Sequence, residues 1–490
     1  MRPDVRGSVP PASASGMGNG RRREGPIVAC VALGAFLFQF EAFVVNVSLP
    51  TIAHELGTSM TFVSFVVIAY LLAATMAFLP AGRIADRIGL KRIFLLGCAL
   101  AAAGTTLSGL APNLWLLCAG RLIQGLGAGA MIALGYAMIP AWVAPERTGW
   151  GYGWVSLGAA SGMVAGLPIG GLLVAFAPWR WIFLVTVPVL LTLLAFGWRV
   201  LPGDPPRAAA KPSVDPIGSV AFATAIAAVV LMISLGDELG WESRPVALLV
   251  LVAVAAGASL AFRTRLTGRS YLPTEALRAP GFAAGLGVLF VFAMMSAGIQ
   301  FLLPFYLKLA CGLTALQSSV LLLVFPLALA PTGAWSGRAA DRLGSRALVW
   351  AGTGLGAMAS LGFCVQLHHP QLWLPAIYLA ALGFASGLFY APNNRYIMSC
   401  GAQHHVAEAG SLLPIALNLG SLLGVSLFDT VFSRPLPGGV ADVDALVAAG
   451  DAAMPMLNKG FELACALASA GMFGCAWAVR KLYRNPRSND

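Results

Sequence analysis

The chain of 490 residues is 58% hydrophobic and only 10% charged, with a formal net charge of +11 and a mean hydropathy of +0.80. A soluble globular domain carries about 25% charged residues, so the composition excludes a water-soluble enzyme of this size. The basic surplus does not indicate nucleic-acid binding, because no soluble region is long enough to gather Lys and Arg on one solvated face. The composition predicts a polytopic membrane protein that is not an enzyme.

The eight cysteines lie in or beside apolar segments and form no CxxC pair. This distribution predicts neither a disulfide framework nor a zinc site, and no other metal or cofactor is expected. The sequence contains no GxxxxGK[ST] phosphate loop, so ATP is not the expected energy source.

Residues 1–25 are polar and basic, and they predict a cytoplasmic tail rather than a signal peptide, because the apolar run that follows is too long for one. A spanning helix needs about 20 apolar residues. Hydropathy predicts fourteen such helices: 27–49, 61–80, 93–111, 114–140, 153–176, 181–199, 217–236, 246–262, 283–306, 315–335, 347–367, 373–396, 409–432 and 460–480.

Lysines and arginines are distributed unevenly between the predicted loops. When successive loops alternate across a bilayer, 25 of the 31 Lys and Arg residues fall on one side and 5 on the other, and Arg121 lies inside a helix. Cytoplasmic loops carry such an excess of positive charge. Both termini are therefore predicted to be cytoplasmic.

One eight-residue segment occurs twice, as GRIADRIG at 82–89 and as GRAADRLG at 337–344, each between two predicted helices on the inner side. Internal repeats are common in transporters. The offset of 255 residues fits eight helix-plus-loop units better than six, so two additional helices are expected between two pseudo-symmetric six-helix bundles. The predicted organisation is a tail at 1–25, bundles at 26–200 and 283–480, linkers and two accessory helices at 201–282, and a tail at 481–490.

Several motifs, in this order along nearly the whole chain, resemble the major facilitator superfamily and within it the fourteen-helix drug/proton antiporters. Residues 40–50 resemble the helix 1 motif of that branch, and the repeated segment at 82–89 resembles the cytoplasmic loop between helices 2 and 3. Residues 114–129 resemble the helix 4 motif in which an intramembrane arginine serves proton coupling. Residues 158–171 resemble the Gly-rich helix 5 motif of antiporters, and residues 179–183 resemble the helix 5–6 junction.

The chain departs from the family pattern at a few positions. Glu41 stands where Asp is usual, Thr186 where Asn is usual, and Leu417 where an Arg is common. In helix 5 the proline, Pro168, is shifted by one position within its glycine run.

The resemblance implies an all-α integral membrane protein of the bacterial inner membrane that works by alternating access. The expected function is proton-coupled export of a small amphipathic organic compound or drug. The alternatives are a dedicated exporter of an endogenous metabolite, siderophore or lipid-like amphiphile, and a non-transporting membrane receptor or scaffold. The expected partners are a small organic substrate, protons, the lipid bilayer and accessory export proteins, with no nucleic acid, and a monomer is expected.

Glu41 is the deepest acidic residue in the predicted spans, whereas Asp429 and Glu462 lie near their outer ends. An ionised group at the bilayer centre costs about 2.5–3.5 kcal/mol on insertion scales, so it is expected to face a cavity or a partner. Glu41 is therefore predicted to carry the proton. Arg121, the one basic residue inside a predicted span, is predicted to lie near an acid or backbone carbonyls; a static structural pair is the alternative.

The repeated segment predicts a conformational latch at the cytoplasmic side, in which glycines permit tight turns, the aspartates accept hydrogen bonds from a helix N-terminus, and the arginines pair with acids or lipid phosphate. A solvated cluster of topogenic charges is the alternative. The latch residues are Gly82, Asp86, Arg87, Gly89, Gly337, Asp341, Arg342 and Gly344.

Small residues recur every four positions in helix 5, which permits close approach of another helix. They are interpreted as ordinary tight packing or as a seam that controls rocking of the two halves. The residues of this seam are Gly158, Gly162, Gly166, Pro168 and Gly170.

Polar and aromatic side chains within the predicted spans are candidates for a substrate cavity, although many such residues only bond neighbouring helices. The polar candidates are Gln39, Asn46, Gln124, Gln300, Tyr306, Asn393, Asn394 and Asn418, and the aromatic ones are Trp335 and Tyr390.

Overall fold

The structure is a computed structural model, and it describes residues 17–45, 48–58, 60–203, 216–267, 277–309, 311–313, 315–366, 373–400, 406–433, 435 and 454–483. These residues form helices joined by short connections, and no strand occurs among them. The all-α fold expected from the predicted spans and the family resemblance is confirmed.

Fourteen long helices follow one another through the described residues. They are α1 Met17–Val44, α2 Met60–Ile88, α3 Leu90–Gly109, α4 Leu114–Trp142, α5 Thr148–Phe176, α6 Val187–Val200, α7 Pro216–Leu239, α8 Arg244–Thr267, α9 Pro280–Leu309, α10 Val324–Leu343, α11 Ser345–Gln366, α12 Trp373–Cys400, α13 Val406–Ser433 and α14 Met454–Leu482. Short helices at Leu49–Glu55, Trp181–Leu184 and Ala315–Leu322 lie in the connections.

In the described part of the chain, thirteen helical segments are long and apolar enough to cross a bilayer. The remaining helix, α7, has a shorter apolar stretch at Ile217–Ile233 but is 24 residues long, about 36 Å, which is enough to span the hydrocarbon core. The chain is therefore a multi-pass membrane protein, as predicted.

The same helix pairing occurs in α1–α6 and in α9–α14. A Cβ atom placed on Gly162 of α5 would lie 2.2 Å from the carbonyl oxygen of Phe36 in α1. A Cβ atom placed on Gly424 of α13 would lie 2.0 Å from the carbonyl oxygen of Met294 in α9. Glycine thus brings the backbones of α1 and α5, and of α9 and α13, into direct contact.

The two helices between the halves differ in what they contact. Helix α7 packs against α2 and α13, one helix from each half, and buries Phe222, Ile226 and Val230. Helix α8 packs on α7 and exposes Leu251 and Val254, each by 63%. Helix α8 accordingly offers an apolar surface to lipid, and α7 lies at an edge of the junction between the halves.

The predicted connections at 82–89 and 337–344 are wrong in their conformation. Seven residues of each segment continue the preceding helix, so α2 ends at Ile88 and α10 at Leu343. Only Gly89, with φ of 112°, and Gly344, with φ of 82°, leave the helix. The charges mark the edge of the membrane, whereas the helix continues because Arg, Ala and Ile are compatible with it.

Two other predicted boundaries also change. The span predicted at 27–49 begins at Met17 and ends at Val44, and the separate helix Leu49–Glu55 follows it. The span predicted at 315–335 is divided at Leu323, and its second part extends to Leu343. Apolar composition continues across both breaks, so hydropathy could not detect them.

Candidate functional site

Arg121 is fully buried in the first half of α4, and its guanidinium group meets three helices. Its Nη1 atom lies 3.7 Å from Oε2 of Glu41 in α1 and donates a hydrogen bond of 2.7 Å to Oε1 of Gln124. Its Nε atom donates to the carbonyl oxygen of Val66 in α2 at 3.0 Å. The acid and the carbonyls expected near this arginine are both present.

An aromatic ring completes the surroundings of the guanidinium group. Its Cζ atom lies 4.2 Å from the ring centroid of Tyr70, whose hydroxyl donates to the carbonyl oxygen of Phe38 at 3.1 Å. A cation over an aromatic face is attracted by the ring quadrupole, most strongly where water is excluded. Tyr70 therefore stabilises the charge of Arg121 and links it to α1.

The carboxylate of Glu41 is 3% exposed and is held unequally at its two oxygens. Thr186 donates a hydrogen bond of 2.5 Å to Oε1, whereas Oε2 accepts no hydrogen bond from the described residues. Nε2 of Gln124 also lacks a partner there. Glu41 and Gln124 line a cavity of about 10 Å³, close to the space that one water molecule needs.

Thr186 was not predicted as a site residue. It lies just before α6, after the short helix Trp181–Leu184, and its departure from the family pattern was the one available signal. Its hydroxyl donates to the buried carboxylate, so the change of side chain alters a direct contact of Glu41.

A second and much larger cavity, of about 810 Å³, lies between the two halves. Pockets for drug-sized ligands span roughly 300–1,000 Å³. Helices of both halves form its wall, and its polar and aromatic lining residues are Phe38, Gln39, Phe43, Tyr136, Ser156, Ser296, Gln300, Phe301, Phe325, Tyr390, Asn394, Asn418 and Ser421.

Phe38 lies between the two cavities. Its side chain lines both of them, and it is the one residue common to the two walls as described. It is 7% exposed and packs against Tyr70 with ring centroids 5.8 Å apart. Phe38 is therefore shared by the wall of the small cavity beside Glu41 and the wall of the large cavity.

The predicted cavity residues divide into two groups. Gln39, Gln300, Asn394, Asn418 and Tyr390 line the large cavity. Asn46 lies outside the described residues.

The remaining candidates lie elsewhere, which corrects their predicted positions. Gln124 contacts Arg121, and Tyr306 packs edge to face against Phe363. Asn393 donates to the carbonyl oxygen of Gly285 and accepts from Tyr483, and Trp335 is 54% exposed on the outer surface of its helix. Their polar or aromatic groups are used within one half or at its outer surface.

The two halves meet at the membrane side where α5 begins and α10 ends. The carboxylate of Asp341 accepts hydrogen bonds from the backbone N–H groups of Gly149 at 2.9 Å and Trp150 at 2.8 Å, and from Nε of Arg395 at 2.9 Å. A carboxylate at a helix N-terminus is stabilised by the unpaired N–H groups and the helix dipole. Asp341 thus joins the C-terminal half to the first turn of α5.

A glycine crossing lies beside this contact. A Cβ atom placed on Gly337 would lie 2.2 Å from the carbonyl oxygen of Gly149, so α10 and α5 touch there through their backbones. Gly337 is therefore a packing glycine and not a turn glycine. Gly149 was missed by the sequence analysis, because one glycine in an apolar chain carries no distinctive pattern.

The other predicted latch residues are distributed around the equivalent helix ends. Asp86 is buried near the end of α2, whereas Arg87 and Arg342 are exposed. Gly82 is helical, and Gly89 and Gly344 form the two sharp connections described above.

The glycine stripe of α5 lies against α1 along its length. Cβ atoms on Gly158 and Gly170 would lie 2.2 Å and 2.7 Å from the carbonyl oxygens of Ala32 and Val44. Pro168 is exposed within the helix. Because α1 and α5 belong to the same half, the stripe packs that half internally and does not cross the junction between the halves.

Comparison with known proteins identifies a family and several transporters that resemble this chain over most of its length. The family model of the Major Facilitator Superfamily matches residues 31–425. The riboflavin transporter RibZ of Clostridioides difficile is 24% identical over 84% of this chain and 88% of its own length. The methylenomycin A resistance protein of Streptomyces coelicolor is 28% identical over 84% of this chain and 87% of its own length.

Among solved structures, the proton:xylose symporter XylE superposes with a TM-score of 0.66 at 13% identity, over 95% of this chain and 97% of its own length. This likeness concerns the arrangement of helices, because function depends on the residues of the site rather than on the fold.

The buried ion pair predicts a specific pattern of stability. Arg121→Met leaves the Glu41 carboxylate without its cationic partner, which in a buried site typically costs about 3–5 kcal/mol. We expect a clearly lower Tm in detergent for Arg121→Met and recovery of most of the loss in the double variant Glu41→Gln/Arg121→Met. Equal destabilisation of the single and double variants would show that Arg121 stabilises the fold independently of Glu41.

Proposed function

The chain belongs to the Major Facilitator Superfamily, and on that premise we propose that it is a proton-coupled antiporter that exports a small amphipathic organic compound by alternating access. The observation that carries this proposal is the buried carboxylate of Glu41, which lies against Arg121 on the wall of a small cavity that shares Phe38 with a drug-sized cavity. A transporter has a reason to keep so costly a group in the membrane, because a buried carboxyl can bind and release a proton.

The proton would act on the contacts of Arg121. When Glu41 is ionised, its carboxylate attracts the guanidinium group, as the 3.7 Å separation indicates. Protonation removes that attraction, so the hydrogen bonds to Gln124 and to the carbonyl oxygen of Val66, together with the ring of Tyr70, become the principal contacts of the arginine side chain. Because these groups lie on α1, α2 and α4, the change biases the packing of one half between two states.

We propose that Asp341 latches the side of the membrane that the charge distribution assigns to the cytoplasm. In the structure this side is joined by the Asp341 carboxylate and by the crossing of Gly149 and Gly337. Opening it would break the hydrogen bonds from the first turn of α5. The large cavity is then reached from one side of the membrane at a time.

We further propose a monomer in a bacterial inner membrane, with both termini cytoplasmic. The positive-inside distribution supports the orientation. A single chain also contains both halves and the whole cavity between them, so one copy supplies every part of the proposed transport path.

A dedicated metabolite exporter is the second candidate. It is favoured by the riboflavin transporter among the relatives, which aligns over 84% of this chain. The same cavity and the same coupling groups serve either function, and the range of compounds that are moved separates them. A non-transporting receptor or scaffold gains no support from a buried ion pair beside a large cavity.

Proton movement is the direct test of antiport. In proteoliposomes containing a pH-sensitive dye, we expect some members of a panel of amphipathic compounds, riboflavin included, to drive proton release. Glu41→Gln removes the titrating group and is expected to reduce that release at least tenfold.

The matched control is Glu55→Gln, because Glu55 binds Trp179 and Arg180 at the outer ends of the helices, away from the cavity. It should retain proton release. Release that persists in Glu41→Gln, or no release with any compound in wild-type protein, would contradict the proposal.

The latch has a separate structural test. Spin labels at positions 146 and 343, in a background without native cysteines, report the separation between the start of α5 and the end of α10. Asp341→Ala removes three hydrogen bonds across or beside this junction, so the distance distribution should move to longer values. Glu462→Ala, a change to an acid paired with Lys459, should leave it unchanged; an unchanged distribution in Asp341→Ala refutes the latch.

A further inference from the structure

We propose that the large cavity takes an uncharged organic molecule with an apolar body, and that its exchange for protons is electrogenic. The second half of this inference rests on the antiport proposed above. The first half rests on the composition of the cavity wall.

Each described residue of the cavity wall is uncharged at neutral pH. The wall consists of aliphatic and aromatic side chains together with a few amides and hydroxyls. A charged group that enters such a site loses its hydration and gains no opposite charge in return, which is strongly unfavourable. An uncharged molecule loses far less and gains from the burial of its apolar surface.

The buried carboxylate of Glu41 does not supply the missing charge. It lies beyond Phe38 on the wall of the small cavity, and its cationic partner, Arg121, is already in place. A cation in the large cavity would therefore face an acid that Arg121 already neutralises.

Two amides on the wall offer little to a ligand. Oδ1 of Asn394 is buried with almost no accessible surface, and Nε2 of Gln300 already donates to Ser296. Burial of apolar surface therefore supplies the main gain on binding.

The charge of the substrate determines the charge moved in a cycle. When an uncharged molecule leaves against one incoming proton, one positive charge crosses the membrane inward. A potential of 100 mV, negative inside, then changes the accumulation ratio about 50-fold. A monovalent cation exchanged for one proton moves no net charge.

Matched pairs of ligands test the charge preference directly. Each pair consists of an uncharged arylsulfonamide carrying a dimethylamino group, such as dansylamide, and its permanently cationic trimethylammonium derivative, with binding measured by fluorescence in detergent. In each pair, we expect the uncharged ligand to bind at least tenfold more tightly than its cationic derivative. Equal binding, tighter binding of the cation, or no binding of any uncharged member overturns the proposal.

Two isosteric variants reverse the expected preference. Asn394→Asp and Asn418→Asp place a carboxyl group on the cavity wall, so each should raise the affinity for the cationic members at least tenfold. Asn113→Asp makes the same change at the N-cap of α4, where Asn113 accepts from the N–H of Leu116, and should alter neither affinity. If neither cavity variant gains cation affinity, the wall does not set the charge preference and the proposal fails.

Proteoliposomes with an imposed potassium diffusion potential test the electrogenic step. The uncharged ligand should drive proton movement that increases with inside-negative potential. If the charge preference holds but no ligand moves protons, antiport is wrong and the substrate class stands. If protons move with the cationic ligand and independently of the potential, antiport stands and this inference is wrong.

Discussion

The charge of Arg121 is the constraint on which the rest of the site depends. A guanidinium group that is fully buried among apolar helices must be matched by an opposite charge, by carbonyls and by aromatic faces. The structure supplies all three, from α1 and α2 as well as from α4 itself. One side chain therefore contacts three helices of the N-terminal half, and in the proposed mechanism a change in the charge of Glu41 alters their packing.

The two halves contribute different chemical groups to the site. The ionisable pair belongs to α1 and α4, whereas three of the amides on the cavity wall, Gln300, Asn394 and Asn418, belong to α9, α12 and α13. The repeat offset of 255 residues gives Ser296 in α9 as the counterpart of Glu41 in α1. At this offset the C-terminal half has a neutral hydroxyl where the N-terminal half has a carboxyl group, so the proposed proton site is asymmetric in the fold.

The sequence predicted those features that cost much free energy to bury in a membrane, such as ionised side chains. Glu41 and Arg121 are 80 residues apart in the chain, yet their isolation in apolar segments required partners, and they lie within 3.7 Å of each other. Repetition of GRxADRxG similarly indicated two related halves from the sequence alone.

Side chains that cost little free energy to bury gave no comparable signal in the sequence. Phe38 is one of 26 phenylalanines, so its position between two cavities depends on packing that periodicity does not show. Asn393 and Asn394 are neighbours in sequence, but only the second lines the cavity, because successive residues of a helix face different directions. Helix ends beyond the bilayer were missed for the related reason that hydropathy detects the apolar part of a helix and not its full length.

The pH dependence of substrate affinity tests the central claim most directly, because linkage requires a ligand that displaces a proton to bind more tightly as the pH rises. For wild-type protein in detergent, Kd should fall up to tenfold per pH unit over the range in which Glu41 titrates. In Glu41→Gln, Kd for the same uncharged ligand should not change with pH. A pH-independent Kd in the wild type, or an unchanged slope in Glu41→Gln, would contradict the assignment of Glu41 as the proton carrier.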